Sequence, residues 1–256
     1  MSEQPTTSEQ MSTDQPEGLS FMDKAAGVFY EPSKIFGSFK TSPVKVTDWL
    51  VPLLLLAFVV GASRYVTSTS PDLRFQMAQQ MEPRFDKMVA EGKMTAEAAE
   101  QAKESMENGS ATATFFGVFG AIIVTVIIFF IAAGVWLIIG KNILKGNLNY
   151  SQMMGVAGLC SWIMIVGTIL SIVITVVLSR LDGGLHLAMF VPLSFSKTYS
   201  LLRSADLFSI WNLAVTSIGI GTLAGKKGFL PAIYVFGVWI VLTLIVVFVI
   251  GSLFGA

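Results

Sequence analysis

The residues able to do chemistry are few and scattered. His186 is the single histidine and Cys160 the single cysteine of the chain. Metal centres and imidazole or thiol catalysis need such groups at set spacings, with partners close by. His186 stands in a loop without those partners and reads as a surface residue. Cys160 sits in an apolar run and reads as a small side chain packed between helices. One cysteine also excludes an intrachain disulfide and makes a cysteine-based metal site implausible. Eight carboxylates crowd residues 67–114. They lack the alternating Asp/Asn ligands and the glycine of a calcium loop, so a solvated helical face accounts for them. No serine lies in a nucleophile motif, and no glycine-rich phosphate loop follows a strand. No catalytic residue, metal or cofactor is assigned, and the chain reads as non-enzymatic.

Two polar clusters remain. Asp206 and Ser209 stand where an apolar run begins and suit the cap of a helix, whose dipole favours an acid there. Trp211 suits an interfacial anchor, and Asn212 is the amide that follows it into the run. Lys141 and Lys145 share a short loop, where they could meet lipid phosphates, a partner, or serve as topology determinants. A lipid-modifying enzyme would need polar groups converging at one interface, drawn from Asp206, Asn212, Lys197 and Arg203.

The elements that hold these residues are dictated by composition. Hydrophobic residues make up 53% of the 256-residue chain and charged ones only 13%, about half the share of a soluble domain. The charges are segregated: residues 115–140 carry none. Five segments are long and apolar enough to cross a hydrocarbon core of about 30 Å, at about residues 46–66, 115–139, 153–178, 207–223 and 229–254. In lipid they must be helices, since a lone strand would leave its amides unpaired. The fold class expected is all-α, a polytopic bundle of five transmembrane helices. The fourth span is the shortest and most polar.

The rest divides around the spans. Residues 1–20 are polar and lack a signal peptide's basic start and apolar core; they are expected to form a disordered tail ahead of a membrane domain over 21–256. Residues 18–48 mix Phe21, Val28, Phe29, Ile35, Phe36 and Phe39 with four lysines, suiting a segment in the headgroup layer or docked on the end of the bundle. The insert at 67–114 predicts a small extramembrane helical hairpin. Leu73, Met77, Met81, Phe85 and Met88 form its apolar stripe, Pro83 should break or kink its first helix, and Gly92 marks the turn. Residues 180–206 are expected to be interfacial or re-entrant. Short loops with Lys141, Lys145, Lys226 and Lys227 place the N-terminus inside and the C-terminus outside by the positive-inside rule. No acidic or basic residue stands near the centre of a span, which weighs against a proton-driven transporter.

Small residues recur on the spans. Gly167, Ser171 and Thr175 fall four apart, Ser217 and Gly221 repeat the spacing, and Gly251 and Gly255 follow near the end. This spacing lets helix backbones approach closely, within the chain or towards a second copy or partner helix.

Tyr30-Glu31-Pro32-Ser33-Lys34-Ile35-Phe36, Pro43, Trp49 and Pro52, then Asp206 to Asn212 and Ile218-Gly219-Ile220-Gly221, resemble the Yip-type membrane domain. That family comprises Ypt/Rab-interacting proteins and their bacterial relatives. The resemblance runs over about residues 20–256 and implies a five-span membrane protein without catalytic residues to carry over. Eukaryotic members are associated with Rab-type GTPases and vesicle traffic. The chain lacks their Asp-Leu-Tyr-Gly-Pro-like motif and adds an acidic insert, which favours a bacterial inner-membrane member. The expected function is a membrane scaffold or adaptor; the alternative is a permease or channel for a small solute. Expected partners are the lipid bilayer and a second copy or another membrane protein, with no nucleic acid, since the net charge is zero.

Overall fold

The computed structural model describes residues 19–194 and 196–250. Most of the expected tail, and the packing positions Gly251 and Gly255, lie outside the described residues. Ten α-helices and no β-strand make up the described part. Five stretches are long and apolar enough to cross a membrane: Thr47–Thr69, Ala111–Ile143, Tyr150–Leu178, Leu207–Ala224 and Leu230–Val249. The first four start and stop within a few residues of their expected bounds; the fifth starts as expected, and its expected end at 254 lies outside the described residues. The protein is an all-α polytopic membrane protein.

Two short helices precede the spans. In α1 (Phe21–Tyr30), Ser20 and Asp23 form a reciprocal cap. The Asp23 amide donates to Ser20 Oγ at 3.1 Å, and the Ser20 amide donates to Asp23 Oδ2 at 3.2 Å. Pro32 opens α2 (Pro32–Ser38), where its missing N–H leaves nothing unsatisfied. Val28, Ile35, Phe36 and Phe39 are buried in the main core. The pair is therefore docked into the bundle, with Met22 and Tyr30 left exposed.

The first span, α3 (Thr47–Thr69), packs on α6 (Ala111–Ile138) and α7 (Tyr150–Leu178). α7 is the hub, touching α1, α3, α6 and α9 (Leu207–Ala224). A glycine is required where α7 crosses the start of α3: a Cβ at Gly158 would fall on the Trp49 backbone. The last span, α10 (Leu230–Leu244), packs on α9 and continues as a π-helical turn, Ile245–Ile250.

The polar fourth span has a structural reason. Half of α9 is buried within the protein, against 11% to 28% of the other four spans. A helix that meets mostly protein has less need of lipid-compatible side chains, and Thr216 and Ser217 are enclosed with it. Ser217 satisfies its hydroxyl by donating to the Leu213 carbonyl at 2.5 Å.

The insert is the expected hairpin, α4 (Pro71–Ala90) packed on α5 (Ala96–Asn108), with Gly92 turning at φ 68°. The break expected at Pro83 is absent, since α4 runs unbroken through it. Pro83 is exposed, so the lost backbone bond falls on a face that water can serve. Residues 180–206 fold back on the span ends with a 3₁₀ turn, Leu187–Phe190, and α8 (Lys197–Ser204).

Candidate functional site: a polar cavity at the insert-side ends of the spans

Polar side chains converge where α3 and α7 end and α9 begins, beneath α4. They enclose a cavity of about 560 Å³. α7 contributes Thr168, Ser171 and Thr175 to its wall, one face of the helix at successive turns. From Met164 to Thr175 this face covers about 16 Å of helix rise, so the cavity reaches towards the middle of the span. α3 adds Ser63, Arg64 and Thr67, and the 180–206 connection adds Asp182, His186, Tyr199 and Arg203. Met77 and Met81, two of the five residues in the apolar stripe of α4, form the cover.

The wall is held by a network that begins at Arg180. Its Nε donates to Asp182 Oδ1 at 2.8 Å, Nη1 to the Met189 carbonyl at 2.9 Å, and Nη2 to the carbonyls of Val191 at 2.8 Å and Ala188 at 3.3 Å. One planar guanidinium thus fastens the 3₁₀ turn to the end of α7. His186 Nε2 lies 2.8 Å from the Asp182 carbonyl and 3.9 Å from Asp182 Oδ2. The Leu207 amide donates to the Leu185 carbonyl at 3.0 Å, tying the connection to the start of α9.

Asp182, His186 and Tyr199 are only 5%, 7% and 6% exposed. Asp182 Oδ2, His186 Nδ1 and Tyr199 Oη have no hydrogen-bond partner among the described residues. Unsatisfied buried polar atoms are uncommon in folded proteins. His186 is therefore not the surface residue the loop suggested; the chain folds back and buries it. Its signal in the sequence was weak: a lone histidine between Leu185 and Leu187 shows apolar flanks but no partners.

The residues singled out earlier separate into different settings. Asp206 lines the cavity and caps α9, its Oδ1 accepting from the Ser209 amide at 2.9 Å. Trp211 is half-buried, edge-on to Phe29 at 5.6 Å, so it joins α9 to α1. Asn212 Nδ2 donates to the Cys160 carbonyl at 2.9 Å, a link between α9 and α7. Lys197 lies over the Phe248 ring at 5.7 Å. Of Asp206, Asn212, Lys197 and Arg203, only Asp206 and Arg203 share the cavity. Gly167 admits Phe208, whose Cγ would lie 2.5 Å from an added Cβ, while Ser171 and Thr175 face the cavity rather than another helix. Ser217 and Gly221 line a second cavity of about 710 Å³ at the other end of α9, where Gly221 admits Pro231. Lys141 and Lys145 are exposed on the turn after α6. No group of three or more metal-ligating side chains lies together among the described residues.

A second constellation holds the pre-span helices. Lys24 Nζ donates to Asp48 Oδ2 at 2.7 Å, with side chains 6% and 1% exposed. The Lys45 amide donates to the same oxygen at 3.0 Å, and the Phe39 ring lies 5.2 Å from Nζ. Lys24 is one of the four lysines of residues 18–48, which by composition suit the headgroup layer. It is instead a buried partner of the first acid of α3, a pairing across 24 residues that no local pattern announces.

Comparison with known proteins adds a family and one relative. A family model described as the Yip1 domain matches residues 26–251. Membrane protein YknW of Bacillus subtilis (strain 168) is 29% identical over 147 residues, which is 55% of this chain and 62% of that protein. The match thus spans less than two thirds of the relative's length. No solved structure matches.

Proposed function

The chain belongs to the Yip1 domain family, and on that premise we propose that it is a non-enzymatic scaffold or adaptor of the membrane. The observation that carries this reading is the way the hairpin is mounted. Gln76 of α4 clamps the end of α7 through both ends of its amide. Its Nε2 donates to the Ser179 carbonyl at 2.5 Å, and its Oε1 accepts from the Leu181 amide at 3.1 Å. Lys103 of α5 pairs with Glu82 of α4 at 2.8 Å. α5 itself has no buried residue. A helix held firmly in place yet left uncovered is a surface for display, and Glu97, Glu100, Glu104 and Glu107 make it attractive to a basic partner. Photo-crosslinkers at Glu100 and Glu104, in native membranes, should each give the same discrete protein adduct, with none from a control at lipid-facing Ile131. Absence of any adduct from α5 refutes the adaptor reading.

The chain is integral to the membrane. Placement in a bacterial plasma membrane with the N-terminus in the cytoplasm is supported by the paired lysines of the short loops after α6 and α9. A relative from Bacillus agrees with it.

A second reading, passage of a small solute, is favoured by the polar cavity. Against it, α7 and α9 meet through buried apolar side chains, Ile163, Phe208 and Leu213 among them. Flux into liposomes by the purified protein tests it, and zero uptake over a broad solute panel would eliminate it.

A further inference from the structure

The cavity beneath α4 does not end at its polar wall. A cleft of about 490 Å³ between α8 and α10 shares Ser200 and Arg203 with it. The far side of that cleft is Leu242 and Thr243 of α10 with Val246 and Val247 of the π-helical turn that continues it, mostly aliphatic and on a span that crosses the bilayer. A charged chamber and an aliphatic cleft therefore meet at one arginine. That is the outline of an amphiphile, with its head in the chamber and its chains along α10.

The chamber's chemistry narrows the head. Arg64 and Arg203 both line it, and neither has an ion-pair partner among the described residues. A guanidinium presents planar paired donors that suit a phosphate oxyanion, and it is less strongly hydrated than an ammonium. The same wall holds three enclosed polar atoms without partners: Asp182 Oδ2, His186 Nδ1 and Tyr199 Oη. An ionised carboxylate oxygen can only accept, so Asp182 calls for a donor on the ligand. A head with an oxyanion alone leaves Asp182 unanswered; a quaternary head has no N–H to give.

We propose that the chamber and cleft form one binding site for a phospholipid whose headgroup carries both a phosphate and an N–H or O–H donor. The arginines take the phosphate, Asp182 takes the donor, and the acyl chains lie against α10. This goes beyond the scaffold reading and stands without it.

The test uses the full-length protein purified in detergent, titrated by native mass spectrometry. The probes are dioctanoyl phosphatidylethanolamine, phosphatidylglycerol and phosphatidylcholine, and inorganic phosphate. Binding of phosphatidylethanolamine or phosphatidylglycerol at least tenfold tighter than phosphatidylcholine, with no competition from inorganic phosphate, supports the site. Arg203→Gln should weaken that binding at least tenfold. Arg64→Gln, at an exposed position, gives the same readout should Arg203→Gln fail to fold, and Lys141→Gln should change nothing. Equal retention of all three lipids, absence of bound lipid, full competition by inorganic phosphate, or unchanged binding by both arginine variants overturns it.

Discussion

Removing either member of the Lys24–Asp48 pair should cost more than removing both. The two groups meet at 2.7 Å with almost no exposure. Lys24→Met leaves a buried carboxylate with only the Lys45 amide as donor. Asp48→Asn leaves a buried ammonium facing the Phe39 ring. Breaking a buried pair from one side costs about 3–5 kcal/mol, because the survivor is charged and uncompensated. The double variant leaves no such survivor, so the double-mutant cycle should return a coupling at least as large as either single loss, about 3 kcal/mol or more. At about 1.4 kcal/mol per decade, either single change shifts the folded-to-unfolded ratio about a hundredfold or more. The assay is reversible unfolding of the purified full-length chain in mixed micelles, followed by tryptophan fluorescence. Trp49 adjoins Asp48, and Trp162 lies 6.2 Å from the Phe21 ring of α1, so both report on the docked helix. Single-variant losses below about 1 kcal/mol that simply add would show that water reaches the pair and that α1 is not locked by it.

Three further outcomes follow from the same geometry. Gly158→Val should destabilise by about 1–3 kcal/mol or more, read as a lowered Tm, because its side chain would occupy the place of the Trp49 backbone. Arg180→Lys should cost about 1.5–3 kcal/mol and raise hydrogen exchange over 187–191, since an ammonium cannot reach four acceptors spread along the turn. Gln76→Leu should raise exchange throughout α4 and α5 while leaving α7 protected, with a loss of about 1–2 kcal/mol; unchanged exchange there would remove the rigid mounting on which the adaptor reading rests.

The spans were legible because lipid imposes a length and a composition that need no tertiary information. The hairpin was legible in large part: Thr95 caps α5 and Gly92 makes the turn as local chemistry requires. The cavity was not. Its wall is drawn from α3, α4, α7, α8 and the start of α9, and periodicity on one helix says nothing about which faces meet. Ser171 and Thr175 illustrate the limit, for a small polar ridge suits close packing and a hydrophilic wall equally well. Lys24 and His186 show another: a titratable residue in a short segment looks solvated until the segment folds onto something. Pro83 marks a third, because the cost of a proline depends on which face of the helix it occupies.

The enclosure of α9 also bears on how the chain is made. A segment of about 27 Å, with two serines, three threonine or asparagine side chains and two glycines, partitions weakly from the translocon when presented alone. Its Asn212 amide is answered by Cys160 of α7, which has already been synthesised when α9 emerges from the ribosome. Entry of the fourth span into the bilayer is therefore assisted by an earlier span waiting beside the exit. A variant that spoils the receiving face of α7 should leave α9 stranded outside the bilayer before any folded protein exists to be destabilised.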